Sequence, residues 1–359
     1  GECPNFFIPE NNMFRVKVTG QTQVLLFKQL YELYCKGISC LLLSHTIGTY
    51  LKLTLMHRSL EMTICEPDAV ADACLFREMR MGSVIWFRNE KKFVALLTIM
   101  EHLLKTRITL FQAAAIERNL FRLIRDFSWF MLSQPQAISS NRERTFIYNR
   151  ATNLMKLTSR MSCSSEKLYL ALFYYKVCAY EKSLKCLLIA QNKLSKPYAM
   201  YNGLYNQMMY SKRTTGLSLS DKMREALIDH IDLLNNCTYI DELKLEQTLN
   251  SSGLLSIPPF VMLNMLFVLN HHALGDTIRS QHFLQNLHTL LLYDSDTLVP
   301  NELRDISWQI LGICQQICGD YDGALDSYRR SLQETLFNDI QKATLSRIQT
   351  LNDIPVFYG

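Results

Sequence analysis

Arg118, Arg122 and Arg125 fall within one narrow arc when their segment is wound at about 100° per residue. On the next segment Arg142, Arg150, Lys156 and Arg160 gather to one side in the same way. Guanidinium stripes suit phosphate contacts, which need charge more than base identity. These seven residues are therefore a candidate anion-binding face, with nucleic acid as its ligand class. The competing reading is a solvated helix face offset by Glu117, Asp126 and Glu143. Metal chemistry has thinner support. His271 and His272 are adjacent and project to different faces of a helix, and His282 and His288, six apart, pair poorly. Cys314 and Cys318 share a helix face, but no second pair with ligand spacing stands near them. Two thiols buried between packed helices is the expected arrangement. There is no Gly-x-Ser-x-Gly elbow, no Gly-x-x-x-x-Gly-Lys-Ser/Thr loop and no Gly-x-Gly-x-x-Gly run. No catalytic, cofactor-binding or metal-binding residue is expected.

The elements that must position these residues read as helices. In 359 residues there are only 13 glycines and 9 prolines, against 48% hydrophobic residues. That balance disfavours turn-rich β folds and disorder. A net charge of +5 permits an anionic partner without demanding one. The 11 cysteines are odd in number and mostly sit in apolar helical stretches, so reduced thiols in the cytoplasm are expected. In that compartment the sequons at Asn236 and Asn250 carry no meaning. No apolar run approaches the roughly 18–20 residues of a membrane span, and no secretory leader pattern is present. A start at Gly1 instead of methionine is what a fragment of a longer chain would show.

Along the chain, residues 4–14 read as an extended segment pinned by Phe6, Phe7, Ile8 and Phe14. Helices follow around Val24–Tyr34 (with Gly37 as C-cap), Ile38–Leu55, Pro67–Met79, 91–106 and 108–132. In the last of these Leu110, Ala113, Leu120, Ile124, Phe127 and Met131 trace the expected apolar face. Ser140 and Glu143 have capping-box spacing for a helix to Met161. Beyond it helices alternate with loops near 163–165, 195–197, 212–220, 250–259, 275–276, 294–300 and 319–320. Residues 237–249 fit a strand or a helix, since Tyr239, Asp241, Leu243 and Leu245 alternate. The expected divisions are 1–60, 61–162 and 163–359.

The most specific local pattern is Trp308, Leu311, Gly312, Gly319, Tyr321, Ala324 and Tyr328. It resembles a tetratricopeptide repeat. Small residues twelve apart, Gly312 and Ala324, let antiparallel helices approach, and aromatics fill the space between turns. A second copy reads Leu170, Ala171, Tyr174, Tyr180, Ser183, Leu187 and Ala190. A third reads Phe267, Val268, His271, Gly275, Ser280 and Leu284, where Val268 should hold its pair more loosely. The copies are 97 and 44 residues apart, so the array is irregular. The competing reading is ordinary helical-hairpin core.

Pro4-Asn5-Phe6-Phe7-Ile8-Pro9-Glu10-Asn11-Asn12-Met13-Phe14, with the helix around Leu25–Tyr34, resembles the closing helical lobe of the male-abnormal-twenty-one (Mab) family, whose superfamily includes cyclic GMP-AMP synthase. The layout is similar to large mollusc members with a long helical extension, in segments such as Leu172–Tyr175, Ile257–Pro259 and Ser307–Gly312. In catalytic members the resemblance implies a Gly-Ser loop followed by a paired acidic motif holding two metal ions. Gly82-Ser83 is present here, but Val84-Ile85-Trp86-Phe87-Arg88-Asn89 follows it without an acidic pair, so no catalytic residue carries over. The expected fold is all-α: a helical lobe, then an irregular tetratricopeptide-like array of antiparallel helix pairs. The expected function is a non-catalytic scaffold that binds a protein partner through helix-pair surfaces. The rival is the regulatory or nucleic-acid-sensing half of a nucleotidyltransferase-like innate immune receptor, with its catalytic lobe upstream.

Overall fold

The computed structural model describes residues 67–80, 90–133, 141–201, 206–235, 237–251, 253–335 and 337–353. The segment 4–14 and the expected helices before Pro67 lie outside them. The chain divides into two units, Gly1–Ala71 and Asp72–Gly359. Of the first, only the opening of one helix is described.

The fold is all-α. Among the described residues fourteen α-helices accompany a single two-stranded ribbon. The helix α1 spans Pro67–Arg80, with proline at its first position as the sequence predicts. Then come α2 (Glu90–Leu104), α3 (Leu110–Ser133) and α4 (Asn141–Met161). The expected apolar face of α3 is only part of what is buried. Leu123 and Phe127 pack with Phe93 and Met100, while Ala114 and Trp129 are buried on the opposite side, and Leu110 stands 78% exposed.

The next elements are α5 (Glu166–Lys176) and α6 (Tyr180–Leu194), then α7 (Gln207–Thr214) and α8 (Leu219–Ala226). The ribbon is β1 (Ile231–Leu234) paired antiparallel with β2 (Leu254–Ile257), Ile231 opposite Ile257 and Leu234 opposite Leu254. Neither strand was expected, and β2 occupies what reads in the sequence as a loop. Between them residues 241–249 resolve as helix: a 3-10 turn over Asp241–Leu243, then α9 (Lys244–Leu249). The chain ends in α10 (Pro259–Ala273), α11 (Thr277–Tyr293), α12 (Arg304–Ile317), α13 (Tyr321–Gln333) and α14 (Gln341–Asn352).

Three hairpins, α5–α6, α10–α11 and α12–α13, share one geometry at identical offsets. Each first helix ends in a left-handed residue, Cys178 (φ 57°), Gly275 (φ 76°) or Gly319 (φ 85°). The next residue's N–H, of Ala179, Asp276 or Asp320, reaches back to the carbonyl of Tyr174, His271 or Gln315 at 2.8, 2.9 and 2.9 Å. This is the Schellman closure, which satisfies the last carbonyls of a helix while reversing the chain. Asp276 and Asp320 then cap the second helices by accepting from Arg279 N–H and Gly323 N–H. Twelve residues separate the packed pairs. Ser183 Oγ donates to the Ala171 carbonyl at 2.8 Å, and Ser280 Oγ to the Val268 carbonyl at 3.2 Å. In the third hairpin a Cβ on Gly312 would lie 2.5 Å from Tyr328 Cε1, so the tyrosine ring occupies the space that the glycine leaves.

The insert between α6 and α10 explains the irregular spacing. Although about sixty residues separate them, α10 packs directly on α5 and α6. A single core runs from Trp129, Ala151 and Met155 through Phe173, Leu266 and Leu311 to Leu351, and is therefore continuous across residue 163.

Candidate functional site

The helix α3 carries Arg118, Arg122 and Arg125 on one face, as their spacing predicts, but that face turns inward. Arg118 and Arg125 are 3% and 4% exposed. Arg118 Nη2 lies 2.7 Å from Asp229 Oδ2, and its Nη1 donates to the Met79 carbonyl. Arg122 Nη2 reaches Asp232 Oδ2 at 3.3 Å. Arg125 bridges Glu166 Oε1 at 2.7 Å and Asp126 Oδ1 at 2.9 Å, with its guanidinium 4.0 Å from the centroid of the Tyr169 ring. The lid over these arginines is the strand entry at 229–232. Ser165 Oγ donates to the Asp229 carbonyl at 2.8 Å, Tyr169 OH to the Asp232 carbonyl at 3.0 Å, and Ser256 Oγ to Asp232 Oδ1 at 2.8 Å.

Three cations here face four carboxylates. Burial opposes the Arg125 charge, yet Asp126 and Glu166 outweigh it and hold its pKa well above the ordinary value. Burial pushes the Asp126 and Glu166 carboxyls up, and Arg125 pulls them partly back. The Cys163 thiol is pushed up to about 12, first by burial and then by Asp229, which leaves it inert. These arginines are thus the cationic half of an internal network. They do not form an anion-binding face, because releasing them would strand buried carboxylates. The sequence held a signal that separates the two stripes. At helical spacing this one continues into Ala114 and Trp129, both buried, whereas Arg142, Arg150, Lys156 and Arg160 are interleaved with Asn149 and Asn153.

The second stripe is exposed. Arg142, Arg150, Lys156 and Arg160 all face solvent on α4, whose opposite side buries Ala151, Met155 and Thr158. Arg150 Nη1 approaches Glu90 Oε1 at 3.8 Å, a surface pair of small consequence. The two groups of basic residues therefore do not form one surface.

The helix-pair residues lie in the core. Ala171, Ser183, Leu311, Ala324 and Tyr328 are fully buried. Trp308 Nε1 donates to Glu334 Oε1 at 3.0 Å, and the Arg330 guanidinium sits 4.8 Å from the centroid of its ring. His271 lies beside the stacked pair Phe267 and Phe283, whose rings are 4.1 Å apart, with Nδ1 3.5 Å from Asp276 Oδ2, and burial lowers its pKa. Cys314 is buried, and burial raises its pKa far above the ordinary thiol value, while Cys318 Sγ lies 3.5 Å from Ser280 Oγ. Among the described residues no three His, Cys, Asp or Glu side chains form a group able to hold a metal ion. A cleft of about 320 Å³ is lined by Trp129, Lys176, Asn235, Cys237 and Thr238. Its Cys237 thiol is pushed up to about 12 by burial, and Lys176 is paired with Asp241 at 3.3 Å.

No protein-family model, curated protein or solved structure matches the chain. Among the described residues no helix is long and apolar enough to cross a membrane.

Proposed function

We propose that this chain is a non-catalytic helical scaffold whose stacked hairpins present a binding surface to a partner protein. The observation that carries the reading is the shared geometry of the three hairpins: one turn, one offset, and one core between them. Stacked units of this kind have an extended outer surface and an interior given over to packing. In a tetratricopeptide-like reading the exposed concave side is the natural place for a partner, and the turn ends of the second and third hairpins offer a further apolar edge. Leu274, Ile278 and Tyr321 stand exposed there. The reading also takes the chain as the C-terminal part of a Mab-family protein acting in the cytoplasm, on the resemblance of residues 4–34.

The test compares captured partners of the wild-type chain with those of an Ile278→Asp, Tyr321→Asp variant of unchanged melting temperature. Loss of a specific partner supports the scaffold. An unchanged set of partners removes this edge from consideration. Turnover of nucleoside triphosphates with Mg²⁺ or Mn²⁺ by the purified chain would refute the non-catalytic reading.

The exposed cations of α4 favour a second reading, a nucleic-acid-sensing half of a nucleotidyltransferase-like receptor. Binding of duplex RNA or DNA that weakens steeply with salt is its signature, and no binding at low salt ends it.

A further inference from the structure

The solvent face of α4 has an organisation that its charge alone does not explain. Phe146, Arg150, Asn153, Leu157 and Arg160 follow one another in steps of four, three, four and three. That is the spacing of a helix-docking seam, in which every residue meets a partner helix laid alongside. All five are exposed, Phe146 by 65% and Leu157 by 44%. Arg142 and Lys156 flank the seam, and neither they nor Arg160 form an ion pair among the described residues. The helix is 21 residues long, about 30 Å.

We infer that this seam docks an acidic amphipathic helix of a partner protein. The inference rests on the scaffold reading and assigns it a surface and a partner chemistry. Charge complementarity sets the sign: four basic side chains line the seam, against Glu143 to the side at the N-terminus and Glu90 of α2, 3.8 Å from Arg150. The apolar positions select the class. A duplex presents one phosphate charge per about 1.7 Å, hence roughly eighteen along a helix of about 30 Å, which four cations match poorly. A phosphate backbone would also leave Phe146 and Leu157 in water. A helix with apolar residues at its own seam positions and glutamates beside them buries both and pairs with the arginines.

The probe is a labelled helical peptide of about three heptads with leucine at the seam and glutamate on its flanks. Its controls are a scrambled peptide of the same composition and a duplex DNA and RNA of matched length. Anisotropy is read on the full chain at about 0.05 and 0.15 M salt. The expected result is binding of the ordered peptide over the scrambled one. Arg150→Glu with Arg160→Glu should weaken it at least about tenfold, and exchanging the peptide's glutamates for lysines should restore affinity to that variant. Phe146→Ser with Leu157→Ser should weaken both combinations. All four sites are exposed, so an unchanged melting curve certifies each variant. Equal binding of the scrambled peptide overturns the inference, as does indifference to charge reversal, or a duplex that binds through these residues while the peptide does not. The edge variant at Ile278 and Tyr321 tests a different surface and the turnover assay tests the non-catalytic reading, so failure here leaves the scaffold reading standing.

Discussion

At the scale of single residues, the hairpins show what one side chain can cost. Cys178 holds a left-handed backbone that its counterparts Gly275 and Gly319 adopt freely. A side chain there carries a penalty of about 1–2 kcal/mol, partly offset by the greater freedom glycine has when unfolded. Cys178→Gly should therefore raise stability by about 0.5–1 kcal/mol, read as a shift in the urea midpoint. Gly312 poses the opposite question. Alanine in a helix interior gains about 1 kcal/mol over glycine, but its Cβ would press on a fully buried Tyr328 whose OH is tied to Gln316 Oε1 at 2.8 Å. Overpacking costs about 1–3 kcal/mol, so the clash should win and Gly312→Ala should destabilise. The first hairpin shows the remedy, with Ala171 where Gly312 stands and Leu187 where Tyr328 stands. Adding Tyr328→Leu to Gly312→Ala should recover most of the loss. A double variant no better than the single one would mean that the two positions do not share the space proposed.

At the scale of elements, what was legible in the sequence was what short-range chemistry decides. The turn residues, the twelve-residue offset and the starts of helices at Pro67 and near Ser140 depend on neighbours a few positions away. The strands do not. Each is four residues long, and each exists because the other lies opposite it. The arginine stripe was legible as one face of α3, but not its destination, because Asp229 and Asp232 lie 111 and 110 residues further along the chain. A second long-range clamp was equally invisible. Glu246 of α9, fully buried, accepts from Arg347 Nε at 2.6 Å and Nη2 at 2.9 Å, and from Gln309 Nε2 at 2.6 Å. It ties α9 to α12 and α14. Arg347→Met strands this carboxylate and should cost about 3–5 kcal/mol, whereas Arg347→Met with Glu246→Leu should cost far less. Denaturant titration of both variants checks the difference.

At the scale of the whole molecule, the continuous core makes the parts interdependent. Trp129 and Trp308 belong to the same buried cluster, although the expected boundary near 163 lies between them. In each variant keeping only one of these tryptophans, fluorescence and far-ultraviolet circular dichroism should give coincident midpoints in denaturant, and well-separated midpoints within one variant would show instead that the layers melt independently. The insert between α6 and α10 gives this unity an order in time. While the polypeptide is being made, the first hairpin leaves the ribosome with its apolar flank bare, because the helix that covers it is still about sixty residues away. At roughly 5–20 residues per second the wait lasts about 3–12 s. Through those seconds the nascent hairpin is open to chaperones, or to another nascent copy of itself.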